Sequence, residues 1–187
     1  METALEVAGY LLKLAAEEPE PEFLSHMRLQ KLLYYVQGWS LGVRGRPMFD
    51  SPIEAWRHGP VVRDVFPHFA DYGDNPVPFS RASTGAALSR ADRDFIASIW
   101  ESYKGDSAAA LRRRTHAEPP WVQAWGNRDS DDRCDEVIPH DVLGAFFRDE
   151  YERNNMHPSL RLEVLARAEA DFEAGRGVPL SEAFADR

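Results

Sequence analysis

The chain has 187 residues, 43% of them hydrophobic, and its 31 acidic against 22 basic side chains leave a formal net charge of −9. Such a surface repels phosphate backbones, which argues against broad nucleic-acid binding, and it attracts a basic protein partner. A single cysteine, Cys134, excludes an intramolecular disulfide and every multi-cysteine zinc or iron–sulfur site.

The composition suits one core of ordinary size, mainly α, with at most one small β-hairpin. No apolar run approaches the roughly 20 residues that span a bilayer. The start, with Glu2 and Glu6, lacks the basic opening of a signal peptide. The expectation is a cytoplasmic protein that does not engage a membrane.

In chain order, Thr3 and Glu6 have capping-box spacing and open a helix to Ala16, which Pro19 and Pro21 close off. The second helix, Ser25 to Leu41, carries Leu29, Leu32, Leu33, Val36 and Ser40 on one stripe that Tyr35 and Trp39 widen. A band that broad predicts a central helix packed on several sides, ended by Gly42 and Gly45. The prolines that follow predict a short extended segment, in the form of a small hairpin, around Ile53 to Trp56. Pro60 at a first helical position then predicts a helix over Val61 to Tyr72, kinked at Pro67.

Gly73 to Ala87 reads as a loop. Ser89 and Asp92 cap the next helix, with Phe95, Ile96, Ile99, Trp100 and Tyr103 inward. Ser107 to Arg114 predicts a shorter helix, Pro119-Pro120-Trp121 one or two further turns, and Asn127 to Glu136 an exposed acidic loop. A helix over Pro139 to Glu152 turns Val142, Leu143, Phe146 and Phe147 inward. The expected organisation is a compact helical domain over 3–152. A C-terminal helical appendage over 154–187 follows, with a thin apolar face from Leu160 to Ala174.

Catalytic signals are weak. None of the six histidines forms an HxxxH or HExxH pair, so no helix offers two imidazoles on one face. His116-Ala-Glu118 has the His-x-Glu step of zinc deaminases but lacks their Pro-Cys-x-x-Cys partner. Cys134 lies among Asp131, Asp132, Asp135 and Glu136, an acidic setting that does not suit a nucleophile. No metal, cofactor or catalytic residue is therefore expected. The alternatives are a small hydrolase using His116 and Glu118, or a transcriptional regulator, which the acidic balance and the lack of a clear helix-turn-helix disfavour. Arg112-Arg113-Arg114 reads as cations at a helix C-terminus or as an anchor for an acidic patch or a phosphate. His58, beside the rigid Gly59-Pro60 step, is either a held functional imidazole or a histidine that satisfies a backbone carbonyl.

Two blocks carry a family resemblance. The first is Leu29-Gln-Lys-Leu-Leu-Tyr-Tyr-Val-Gln-Gly-Trp39, followed by Met48-Phe49 and Glu54-Ala-Trp-Arg-His-Gly-Pro-Val61; the second is Thr115-His-Ala-Glu-Pro-Pro-Trp121. Order and spacing resemble the Panacea-domain antitoxins (SocA/GepA-like) over about Leu5 to Glu152. The resemblance implies a compact helical fold and an antitoxin that binds and neutralises a protein toxin encoded nearby. It also implies a second form of action, known for one member, in which the antitoxin is an adaptor delivering its toxin to the ClpXP protease. The motif residues Lys31, Tyr35, Gln37, Trp56, His58, Gly59, Pro60, Thr115, His116, Glu118 and Trp121 become a candidate partner-binding surface. Equally open is a structural role, with Thr115, His116 and Glu118 bonding to the Gly59-Pro60 turn to lock two distant segments together.

Overall fold

The computed structural model describes residues 3–19, 24–79 and 87–153. The expected appendage over 154–187 lies outside the described residues. The elements are α1 (Ala4–Glu17), α2 (His26–Trp39), β1 (Ile53–Trp56), β2 (Gly59–Val62), α3 (Phe66–Phe69), α4 (Arg90–Tyr103), α5 (Ala108–Ala117), α6 (Pro119–Trp125) and α7 (His140–Arg153). The protein is mainly α, as expected, and the hairpin is its only sheet among the described residues.

Helix starts follow the polar signals in the chain. Thr3, Ser25, Ser89 and Ser107 each accept a hydrogen bond from a backbone N–H three residues on, which satisfies one donor that the first turn leaves orphaned. At Ser89 the hydroxyl also donates to Asp92 Oδ2 at 2.7 Å.

Every residue of α2 from Leu29 to Trp39 is buried, so the helix is enclosed on all sides by α1, α4, α5, α7 and the hairpin. Each large apolar side chain buried there contributes about 1.5–3 kcal/mol. Full enclosure also buries Gln30, Lys31 and Gln37, whose polar ends must find partners. They find them in irregular backbone. Gln37 Oε1 accepts from the N–H groups of Met48 and Phe49 at 2.9 and 3.2 Å, while its Nε2 donates to the Phe49 carbonyl at 2.9 Å. Gln30 Oε1 accepts from Val62 N at 2.8 Å, and Lys31 Nζ donates to the Pro60 carbonyl at 2.9 Å. The central helix thus clamps the loop and hairpin that follow it.

Two expectations are corrected. Gly42 does not end the second helix, which runs on as a π-helical turn over Ser40–Arg44 and stops at Gly45, with φ +67°. Gly42 instead lets α7 approach: a Cβ there would lie 2.8 Å from Arg148 N and from Phe147 C, both backbone atoms. The helix expected over Val61 to Tyr72 is not formed. Gly59–Val62 pairs antiparallel with Ile53–Trp56, in the register Ile53↔Val62 and Trp56↔Gly59 across the two-residue Arg57–His58 turn. Tertiary hydrogen bonds from Gln30 and Lys31 favour the strand, as does the β-branched pair Val61-Val62. The helical part starts only at Phe66. Pro67 then falls in its first turn, where a missing N–H costs nothing, and it does not kink the helix.

The outer edge of β1 is also occupied. Ala55 N donates to the Glu136 carbonyl and Ile138 N to the Ile53 carbonyl, each at 2.8 Å. The acidic loop before them is exposed as expected, except for the half-buried Arg128 and for Cys134, which is buried with its Sγ 3.7 Å from the Ala124 carbonyl.

Candidate functional site

Helix α5 extends to Ala117, one turn beyond the expected Arg114, which places Thr115 and His116 on its last turn. Glu118 is held extended (φ −83°, ψ +133°) by the proline that follows it, and α6 restarts at Pro119. This kink turns α6 towards the hairpin. Trp121 Nε1 donates to the Trp56 carbonyl at 3.0 Å. The His116 ring stacks on Trp121 with centroids 4.1 Å apart and planes at 6°, and Trp121 stacks on Trp125 at 5.2 Å and 14°.

The turn itself is packed from behind. Gly59 has φ +95°, and a Cβ on it would lie 2.7 Å from Lys31 Cε and 2.9 Å from Thr115 Oγ1. Lys31 is buried, and desolvation pushes its ammonium down to about 7, with the charge of Arg112 adding to the effect. Burial likewise lowers His116 to about 4, helped by Arg112, Lys31 and His58, against a hydrogen bond to the backbone of His58. His58 is exposed at the tip beside Arg57, and Trp56 is half-buried.

The expected bonding of Thr115, His116 and Glu118 to the Gly59-Pro60 turn is found only in part. His116 reaches the His58 backbone. Thr115 packs against Gly59 but donates its hydroxyl to the Arg112 carbonyl at 3.1 Å. Glu118 does not reach the turn. It accepts from the Tyr35 hydroxyl at 3.0 Å and stands 3.7 Å from Arg114 Nε. Arg114 lies over the rings of Tyr35 and Tyr103, which stack on each other at 4.2 Å. His116 and Glu118, offered as a hydrolytic pair, point into different groups. Gln37 serves the Met48-Phe49 loop and takes no part at the turn.

Burial raises the Glu118 carboxyl to about 7, against the hydrogen bond from Tyr35 and the charge of Arg114. A folded value above the unfolded one stabilises fully below pH 4.5, and that contribution is lost as pH rises through 7. Glu118→Gln keeps an acceptor for Tyr35 and cannot ionise. Its urea midpoint should match the wild type at pH 5 and exceed it at pH 8; an equal difference at both pH values would contradict the assignment.

Three clefts surround these residues. One of about 360 Å³ is lined by Trp39, Tyr103, Arg114, Glu118, Phe147 and their neighbours. A second, of about 340 Å³, lies beside the turn and includes Lys31, Trp56, Arg57 and His58. The third, of about 620 Å³, is on the other side of Trp56 and Arg57, against Glu54, Arg63 and residues 131–135. Among the described residues, no three His, Cys, Asp or Glu side chains converge in a way that could hold a metal ion. None of the described helices is long and apolar enough to cross a membrane. The candidate surface left out Gln30, Arg57 and Arg112, although the first motif block contains Gln30 and Arg57 and the Arg112-Arg113-Arg114 run marked the third.

Residues 29–122 match the family described as "Antitoxin SocA-like, Panacea domain", and the chain belongs to it. Within it, the chain is similar to the protein named Antitoxin SocA of Caulobacter vibrioides (strain NA1000 / CB15N), 42% identical over 67 residues. That match covers 36% of this chain and 35% of the relative. No solved structure matches the chain.

Proposed function

We propose that this protein is an antitoxin that binds and neutralises a protein toxin encoded beside it, in the cytoplasm, with the Arg57–His58 turn and its α5–α6 support as the contact surface. Membership of the SocA-like family supports the class. The observation that carries the surface is the convergence of both motif blocks on one turn. Lys31, Gly59, Thr115 and Trp121 are buried and fix the backbone, while Arg57 and His58 remain exposed at its tip. A rigid support behind an open tip is a preorganised binding surface, which lowers the ordering entropy lost on association. The net charge of −9 adds attraction for a basic toxin.

The test is affinity capture from native lysate, with and without the neighbouring gene product. Stoichiometric capture of that product is the expected result, and capture of the ClpXP protease with it would add the adaptor form of neutralisation. Capture of nothing specific would return weight to an enzymatic role.

A further inference from the structure

The cleft of about 340 Å³ beside the turn falls in the size range of small-molecule sites. Its lining joins basic side chains to rings: Lys31, His58 and Arg57, whose Nη2 also donates to Asp131 Oδ1 at 2.6 Å, face it together with Trp56, Phe66 and His26, and Asp74 is the carboxylate among the lining residues. Trp56 and Phe66 lie with centroids 4.6 Å apart at 51°, and His26 packs on Phe66 at 4.8 Å.

Behind the lining the positive charge continues. Lys31 is 1% exposed and spends one donor on the Pro60 carbonyl at 2.9 Å. Arg112 Nε is a buried donor with no hydrogen-bond partner among the described residues. Arg112 and Lys31 each repel His58 and His116, so the groups form one cluster. Desolvation and the neighbouring positive charges hold Lys31, His58 and His116 towards their neutral forms, an effect that a bound anion would reverse, and the unpaired Arg112 donor is a feature that an oxyanion satisfies. In a chain of net charge −9 this concentration runs against the general surface.

We propose that this cleft binds a small phosphorylated compound with a flat ring, the phosphate held by Lys31, Arg57 and His58 with Arg112 behind them, and the ring packed on Trp56 and Phe66. Aromatic faces accept flat rings of many kinds, so the class is defined by the phosphate and the ring together. This goes beyond toxin neutralisation and needs no toxin to be tested.

The probes are adenosine monophosphate and inorganic phosphate, titrated calorimetrically into the full chain at fixed ionic strength. The monophosphate should bind about tenfold or more tightly than phosphate, and Arg57→Ala and Arg112→Ala should each weaken it by about tenfold. Arg57 is exposed at the turn, so its variant tests the site without testing the fold. Exposed Arg148→Ala should leave the affinity unchanged. No heat with the monophosphate at millimolar concentration, or binding that survives both variants, would overturn the proposal. Loss of toxin capture in Arg112→Ala without any nucleotide binding would also overturn it, and would assign the cluster to an acidic side chain of the toxin.

Discussion

Gly59→Ala should lower stability by about 4 kcal/mol, near 10 °C in Tm for a domain of this size. Two effects add. At φ +95° an L side chain is strained, at a cost of about 1–3 kcal/mol. The new methyl would also enter space held by Lys31 Cε at 2.7 Å, Thr115 Oγ1 at 2.9 Å and Lys31 Nζ at 3.0 Å. Neither neighbour yields cheaply, because Lys31 is tied to the Pro60 carbonyl and Thr115 sits on α5. Overpacking of that kind costs about 1–3 kcal/mol. Gly45→Ala is the matched control, since Gly45 also has positive φ (+67°) but nothing within 4 Å of its Cβ position. The difference in Tm between the two variants reads the packing of the turn on α2 and α5 directly. Equal losses would mean that the turn is not clamped from behind.

Phe147→Ala should cost about 3–5 kcal/mol, at the upper end for a core residue. Its ring is 1% exposed and meets Tyr34, Tyr35 and Trp39 edge-on, with centroids at 5.7, 6.0 and 4.9 Å. One wall of its site is the bare backbone of Gly38, where a Cβ would lie 2.1 Å from Phe147 Cε2. A glycine wall has no side chain to relax into the space left by the ring, so the cavity stays open. The pair should therefore couple with opposite signs. Gly38→Ala alone should destabilise by driving a methyl into the ring. In the Phe147→Ala background the same methyl should recover about 1 kcal/mol, through partial filling and the better helix propensity of alanine. Urea denaturation of the four proteins gives the coupling, and additive losses would contradict this packing of α7 on α2.

Most of the helical framework is legible in the chain because its signals are local. The hydroxyl caps at Thr3, Ser25, Ser89 and Ser107 need only neighbouring residues, and the wide apolar band of α2 shows directly that the helix is central. The errors fall where tertiary contacts decide. Val61-Val62 after Pro60 reads as the start of a helix until Gln30 and Lys31, about thirty residues earlier, take the backbone of this stretch into a hairpin. Gly42 reads as a stop signal because its use, the close approach of α7, depends on residues a hundred positions away.

The site shows the same division. The Gly59-Pro60 step marks a rigid turn from sequence alone, and the Thr115–Trp121 block marks a second element. That Lys31 would hold the turn is hidden, since a lysine in an apolar helix reads as a surface residue. Glu118 appears from spacing to belong with His116, yet the extended conformation before Pro119 sends the two side chains to different groups. Arg57 stands inside the first block and Arg112 just before the second, and only the fold sets the charge of Arg112 near His58, behind the cleft that Arg57 lines.

The claim that most needs measurement is that the locked turn presents a toxin-binding surface. His116 is half-buried, stacked on Trp121 and hydrogen-bonded to the His58 backbone, so His116→Ala removes a stacking contact worth about 1 kcal/mol and a hydrogen bond worth about as much, without opening the core. Calorimetric titration of the neighbouring gene product into wild-type and His116→Ala protein, each checked for folding by circular dichroism, measures the surface directly. Stoichiometric binding by the wild type, weakened at least about tenfold in a folded variant, is the predicted result. A variant that fails to fold, or that binds as tightly as the wild type, would leave His116 as an internal brace and contradict the placement of the toxin on this turn.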